Sequence, residues 1–155
     1  MPVRVQQAAF DIGAEIDALR ASDAHIGAVA AFVGTVRDIN DGAAVSSMLL
    51  EHYPGMTERA LQTIVAEARA RFDIFDALVI HRVGRLLPRD AIVLVAVTGA
   101  HRGAAFEACA FIMDYLKTRA PFWKKETTPA GDRWVEARDS DDAAAARWSG
   151  PADGV

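Results

Sequence analysis

The order of apolar patterns along the chain predicts an α+β fold, and three observations carry that prediction. Segments with apolar residues three and four apart alternate with short runs rich in Val and Ile. Two pairs of those runs are joined by turn-forming residues, and no internal repeat or second-domain boundary interrupts the series. With 155 residues, 52% of them apolar, the chain is long enough to bury a core as a single domain, expected over residues 1–148.

Val3 and Val5 alternate with polar neighbours and read as a short first strand; Asp11 then precedes Ile12, Ile16 and Leu19 at helical spacing. Residues 26–36, IGAVAAFVGTV, form a nearly continuous apolar run that suits a buried strand, and they end where Arg37 and Asp38 begin a charged loop. The segment DINDGAA, 38–44, has the composition of a flexible loop with its turn at Asn40 to Gly42. Val45 to Tyr53 is a further strand, punctuated by Pro54-Gly55. Met56, Ala60, Leu61, Ile64, Val65 and Ala68 mark one face of a second helix, with Thr57 and Glu58 near its start. Phe75 to Val83 and Ala91 to Thr98 are β-rich and linked by GRLLPRD, so a hairpin-like connection should pair them antiparallel. From Arg102 to Leu116, Ala105, Phe106, Cys109, Ile112, Met113 and Leu116 recur at three and four, a third helix that Pro121 ends. Phe122 to Thr128 and Arg133 to Ala137 flank PAGD as a hairpin, and the tail 149–155 has nothing to bury and is expected to be disordered.

Composition excludes several classes. Net charge -4 and a pI near 5.5 oppose general nucleic-acid binding, which needs a basic surface stripe. No window reaches the roughly 18 uninterrupted apolar residues of a membrane span, and no signal-peptide pattern opens the chain, so a cytoplasmic protein is expected. A single cysteine, Cys109, rules out an internal disulfide or a CxxC site; the four histidines are scattered without HxH or HxxxH spacing, so neither a metal nor another cofactor is expected. GxSxG, P-loop and GxGxxG motifs are absent.

Within this acidic chain, His101 to Lys125 reverses sign, with five Lys/Arg against Glu107 and Asp114, which points to an anionic ligand. His101 and Arg102 fall where a strand gives way to a helix, so they and the free N–H groups there either converge on an anion or merely fill a helix start. Lys117, in the last turn, is either a partly desolvated amine beside the apolar stripe or a cation paired with Asp114 and favoured by the helix C-terminus. In the extended segment that follows, Lys124 shares a face with Phe122 and Glu126, whereas Lys125 lies beside Trp123, so only one lysine can enter a site; the alternative is an edge strand protected by lysines. A continuous helix separates Arg102 from Lys117 by about 22 Å. Two basic sites, or one site assembled between subunits, therefore stand as alternatives. Cys109 lies in the apolar stripe and reads as an inert buried thiol.

The runs FVGTVRDIN (32–40), LEHYPGMTE (50–58), IHRVGRLLPRDAIVLVAV (80–97), HRGAAFEACAFIMDYLKTRAPFWKKE (101–126) and GDRWVEA (131–137) resemble the large, catalytic subunit of molybdopterin synthase, the MoaE family. They span most of residues 32–138, and DINDGAA departs most from the family pattern. The resemblance implies an α/β hammerhead-type fold with an additional antiparallel β subdomain. It further implies a homodimer carrying one small ubiquitin-like subunit at each end, a heterotetramer. The implied reaction is sulfur transfer from the small subunit's C-terminal glycine thiocarboxylate to cyclic pyranopterin monophosphate, building the dithiolene of molybdopterin. Lys117 and Lys124 fall on the family's catalytic lysines; Thr35, Arg37, His101, Arg102, Lys125, Glu126 and Arg138 fall on substrate-binding positions. The competing reading is a non-catalytic module that binds an anion or a partner through the same basic residues.

Overall fold

The computed structural model describes residues 2–135 and 139–149. In chain order the elements are β1 (Val3–Gln6), α1 (Ile12–Arg20), β2 (Ala28–Thr35), β3 (Ile39–Asn40), β4 (Ala43–Ala44), β5 (Ser47–His52) and α2 (Met56–Arg71). They continue with β6 (Asp76–Arg82), β7 (Gly84–Leu86), β8 (Ala91–Gly99), α3 (Arg102–Arg119), β9 (Phe122–Thr128), β10 (Gly131–Val135) and α4 (Asp139–Ala146). This mixture of strands and helices is the α+β architecture that the patterning predicts.

The first sheet has the order β1-β6-β8-β2, with β1 parallel to β6 and the other pairs antiparallel. Its central strand β8 is buried on both faces, which explains its unbroken apolar run. Alternation then sorts the side chains. Val93, Val95 and Val97 meet Leu61, Ile64 and Val65 of α2 and Ala105, Ala108 and Ile112 of α3, while Leu94 and Ala96 face Ile12, Ile16 and Leu19 of α1. Asp11 caps α1, its Oδ1 accepting from the Ala14 amide at 2.9 Å.

The second sheet, β10-β9-β5-β7, is antiparallel throughout. It meets the first over a small core of Val36, Met48, Leu50, Val83 and Leu86. Part of it departs from the sequence reading. GRLLPRD is not a plain connection between β6 and β8: the chain turns at Gly84, whose φ is 87°, and residues 84–86 become β7 on β5. β6 and β8 nevertheless pair antiparallel, as expected.

The segment 38–44 also differs from a flexible loop. Ile39–Asn40 and Ala43–Ala44 pair as a two-stranded hairpin, and its turn residues Asp41 (φ 50°) and Gly42 (φ 77°) both adopt the left-handed backbone that tight two-residue hairpins require. A final helix, α4, goes unannounced by the sequence because it is built from Asp, Ser and Ala alone, with no large apolar residues to leave a periodic signal. It brings Trp148 edge-on to Phe72 and Phe111, at 5.7 and 5.5 Å between ring centroids. Within the hairpin expected at 122–137, β10 ends at Val135; residues 136–137, like 150–155 of the expected tail, lie outside the described residues. Among the described residues no helix is long and apolar enough to cross a membrane.

Candidate functional site

The junction of the two sheets forms a cleft, and the local folding of β2 builds one wall. The register of β2 on β8 shifts between Gly34 and Thr35, an irregularity of the kind that re-aims side chains. Beyond it the backbone stays tied to the loop before β8, the Val36 amide donating to Asp90 O at 3.0 Å and the Arg89 amide to Val36 O at 2.8 Å. Val36 is thereby buried, and its neighbours Thr35 and Arg37 are exposed on either side of it.

β9 supplies the opposite wall. Phe122, Lys124 and Glu126 stand opposite His52, Leu50 and Met48 of β5 and share their face. The cleft, about 60 Å³, is lined by Thr35, Arg37, Asn40, Lys124 and Glu126 against the apolar Val36, Ile39, Met48 and Ile92. Two cations and a hydroxyl thus converge where a negatively charged group could sit.

Glu126 is 4% exposed, and its carboxylate is held from two sides. Asn40 Nδ2 donates to Oε1 at 3.0 Å and to Oε2 at 3.1 Å, and Arg133 donates to Oε1 at 3.3 Å. Arg133 also donates to the Asn40 carbonyl at 2.8 Å, and Arg37 reaches Asn40 Oδ1 at 3.4 Å. Sequence reasoning misses both Asn40 and Arg133. An Asp-Gly pair between short extended segments is the signal that could have placed Asn40 at a strand end instead of in a turn.

Lys117 lies exposed in the last turn of α3. Its charge reaches the buried His81, whose ring stacks on Phe122 with centroids 3.8 Å apart and planes 17° apart. Phe122 is two residues before Lys124 on the same strand face, a step of about 7 Å. Burial, reinforced by the Lys117 charge and by His52, pushes the His81 imidazole down to about 4 despite the backbone hydrogen bond it makes to Arg82. The alternative pairing of Lys117 with Asp114 is not what the acid does: Asp114 accepts from Trp148 Nε1 at 2.7 Å and pairs with Arg147 at 3.1 Å.

Other expected site residues lie elsewhere. Lys125 projects to the opposite face of β9, its Nζ 5.1 Å from the centroid of Trp134. His101 and Arg102 are exposed at the N-terminus of α3, beyond the end of β8 that pairs with Ala28, whereas Thr35 pairs at the other end with Ala91. Seven strand residues separate those ends, about 23 Å. One copy of the chain therefore joins Thr35, Arg37, Lys124 and Glu126 in the cleft, but not His101 and Arg102, while Lys117 is linked to it only through its charge on His81. Arg138 lies outside the described residues.

Cys109 is buried, its thiol 3.8 Å from the Val95 carbonyl, and burial raises it to about 11, so it stays a protonated packing group. Among the described residues no group of three or more His, Cys, Asp or Glu could hold a metal ion.

Comparison with known proteins gives one consistent answer. Residues 5–119 match the family model described as MoaE protein. The molybdopterin synthase catalytic subunit of Ralstonia nicotianae is 68% identical over 146 residues, covering 94% of this chain and 83% of that protein. A solved structure of the molybdopterin biosynthesis MoaE protein from Burkholderia ambifaria superposes with a TM-score of 0.82 at 60% identity, covering 96% of this chain and 98% of its own. A complex of subunits 1 and 2 of molybdopterin-converting factor from Helicobacter pylori shares the fold at 19% identity, with a TM-score of 0.74 over 89% of this chain and 92% of that one.

Proposed function

The chain belongs to the MoaE protein family, and from that premise we infer that it is the catalytic subunit of a molybdopterin synthase, an enzyme that transfers sulfur. It acts on cyclic pyranopterin monophosphate and takes its sulfur from the thiocarboxylated C-terminus of a small ubiquitin-like subunit. We assign it, with that family, an α/β hammerhead-type fold in a single catalytic domain over residues 1–148. The second sheet is then the additional antiparallel subdomain, and the setting is the cytoplasm.

The observation that carries the chemistry is the convergence of Arg37, Thr35 and Lys124 on one cleft in a chain whose single thiol is buried. A cationic cleft suits the cyclic phosphate, and the absence of a usable thiol suits an enzyme whose sulfur arrives on a partner. In this reading Arg37 and Thr35 hold the phosphate. Lys124 faces the reacting atoms, where an ammonium can protonate the oxygen that leaves the pterin as the thiocarboxylate sulfur attacks, or stabilise the oxyanion formed when water then adds to the acyl carbon and the C–S bond breaks to leave the sulfur on the pterin and a carboxylate on the small subunit. Lys117 adds a second positive charge from the end of α3. The direct test mixes the purified chain with thiocarboxylated small subunit and cyclic pyranopterin monophosphate and assays the dithiolene. Product is expected, and none from folded protein would overturn the reading.

A cavity of about 60 Å³ grips only one end of such a substrate, since sites that enclose small molecules run to about 300–1,000 Å³. In the proposed assembly the rest of the wall comes from other chains. The small subunit's tail is one source, and a second copy is the other: His101 and Arg102 are exposed beside Phe106, at 64% exposure the most solvent-accessible of the large hydrophobic side chains described. In the homodimer, His101 and Arg102 of one copy complete the site built on Lys117 and Lys124 of its partner. Mixing inactive Arg102→Ala protein with inactive Lys124→Ala protein under subunit exchange should therefore restore part of the activity. Hybrids as inactive as their parents would show that each copy works alone.

A further inference from the structure

We infer that Asn40 is a positioning residue, whose side-chain amide couples the buried Glu126 carboxylate to the Arg37 guanidinium and so sets where Arg37 presents its charge in the cleft. The inference rests on the reading of that cleft as the substrate-anion site.

The chemistry of the three groups leaves one arrangement. An ionised carboxylate only accepts hydrogen bonds and a guanidinium only donates them. A side chain lying between them must donate on one side and accept on the other. Asn40 does so, giving Nδ2 to both Glu126 oxygens at 3.0 and 3.1 Å and turning Oδ1 toward Arg37 at 3.4 Å. With Asn40 5% exposed and Glu126 4% exposed, the amide cannot flip without setting its oxygen against the carboxylate and its NH₂ against the guanidinium.

The backbone is fixed independently. The Asn40 carbonyl accepts from Arg133 at 2.8 Å, and Arg133 in turn reaches Glu126 Oε1 at 3.3 Å, so one arginine ties β10 both to the Asn40 backbone and to the carboxylate its amide holds. On the other side, the Asp41-Gly42 turn closes the β3–β4 hairpin and holds Asn40 at its last paired position. The β3–β4 hairpin thus delivers the amide to the cleft. Asn40 itself need not touch substrate; it acts through Arg37.

Steady-state kinetics of the chain in complex with thiocarboxylated small subunit, with cyclic pyranopterin monophosphate varied, test this. Asn40→Asp sets carboxylate against carboxylate and should raise KM about tenfold while kcat stays within about threefold. Asn40→Asp with Glu126→Gln exchanges the donor and acceptor ends and should recover most of that loss, a rescue that a general packing role would not give. Arg37→Ala alone should raise KM by about tenfold or more. In that background Asn40→Asp should add less than about twofold, because its target is gone. An unchanged KM in Asn40→Asp, no rescue, or a full additive effect beside Arg37→Ala would overturn the role of Asn40 while leaving the site in place. An unchanged KM in Arg37→Ala would instead overturn the reading of the cleft. If Asn40→Asp does not fold, Asn40→Ser in the same cycle with Arg37→Ala carries the same expectations, apart from the rescue.

Discussion

Lys124→Ala is expected to lower kcat for dithiolene formation by about 10²–10⁴-fold, with the small subunit still bound and the fold intact. The geometry behind this is the shared strand face: Lys124 lies opposite Leu50 and between Phe122 and Glu126, so its stem rests on the small core between the sheets while its ammonium enters the cleft. Lys117→Ala should fall in the same range, since the proposed mechanism has both cations address the developing charge. Lys125→Ala should lose much less than Lys124→Ala, since Lys125 stands over Trp134 on the far face. Arginine replacements separate the two chemical roles. Lys124→Arg keeps the positive charge but cannot release a proton at working pH, so retained activity identifies charge stabilisation and lost activity identifies proton transfer. A Lys124→Ala enzyme within tenfold of the wild-type kcat would exclude Lys124 from the chemical step.

Much of the fold was legible because the central strand carries an unbroken apolar run and the two helices over it carry apolar residues three and four apart. β8 reads as a buried strand from its apolar run alone, and Leu61, Ile64 and Val65 fall on the inner face that their spacing predicts. What was not legible depends on partners distant in sequence. Gly84–Leu86 is too short to announce a strand and becomes one only because β5 offers it a free edge. Likewise Lys124 could be assigned to the face of Phe122 and Glu126 by alternation, but nothing local says that Glu126 meets Asn40 86 residues away. The opposition of the two ends of α3 followed from helix rise alone. The opposition of Arg37 to His101 required the register of β2 on β8. Residue type thus identified the cations, and strand pairing decided which of them share a cleft.

Acid should destabilise this protein in a window set by His81. The ring is 5% exposed, stacked on Phe122 at 3.8 Å, with Nδ1 donating to the Arg82 carbonyl at 2.8 Å, which fixes a neutral tautomer. Protonating it would bury a charge and set it near Lys117 and His52, and its pKa accordingly drops from 6.5 to about 4. Above pH 6.5 the ring is neutral in folded and unfolded chains alike and costs nothing. Below 6.5 the unfolded chain takes up the proton and the folded one resists, so stability is lost progressively as pH falls from 6.5 to about 4. A shift of that size corresponds to about 3 kcal/mol once the window is crossed. Urea unfolding of wild type and His81→Gln at several pH values between 7.5 and 4 checks this. The variant is expected to be less stable at neutral pH, having lost the ring stack, yet to show a visibly shallower decline, because glutamine has no proton to take up. The carboxylates titrate in both proteins, so the difference between the two curves isolates the histidine. Parallel curves would place the acid sensitivity elsewhere. A shallower curve would identify His81 as a group that stays neutral in the folded protein while the unfolded chain takes up its proton.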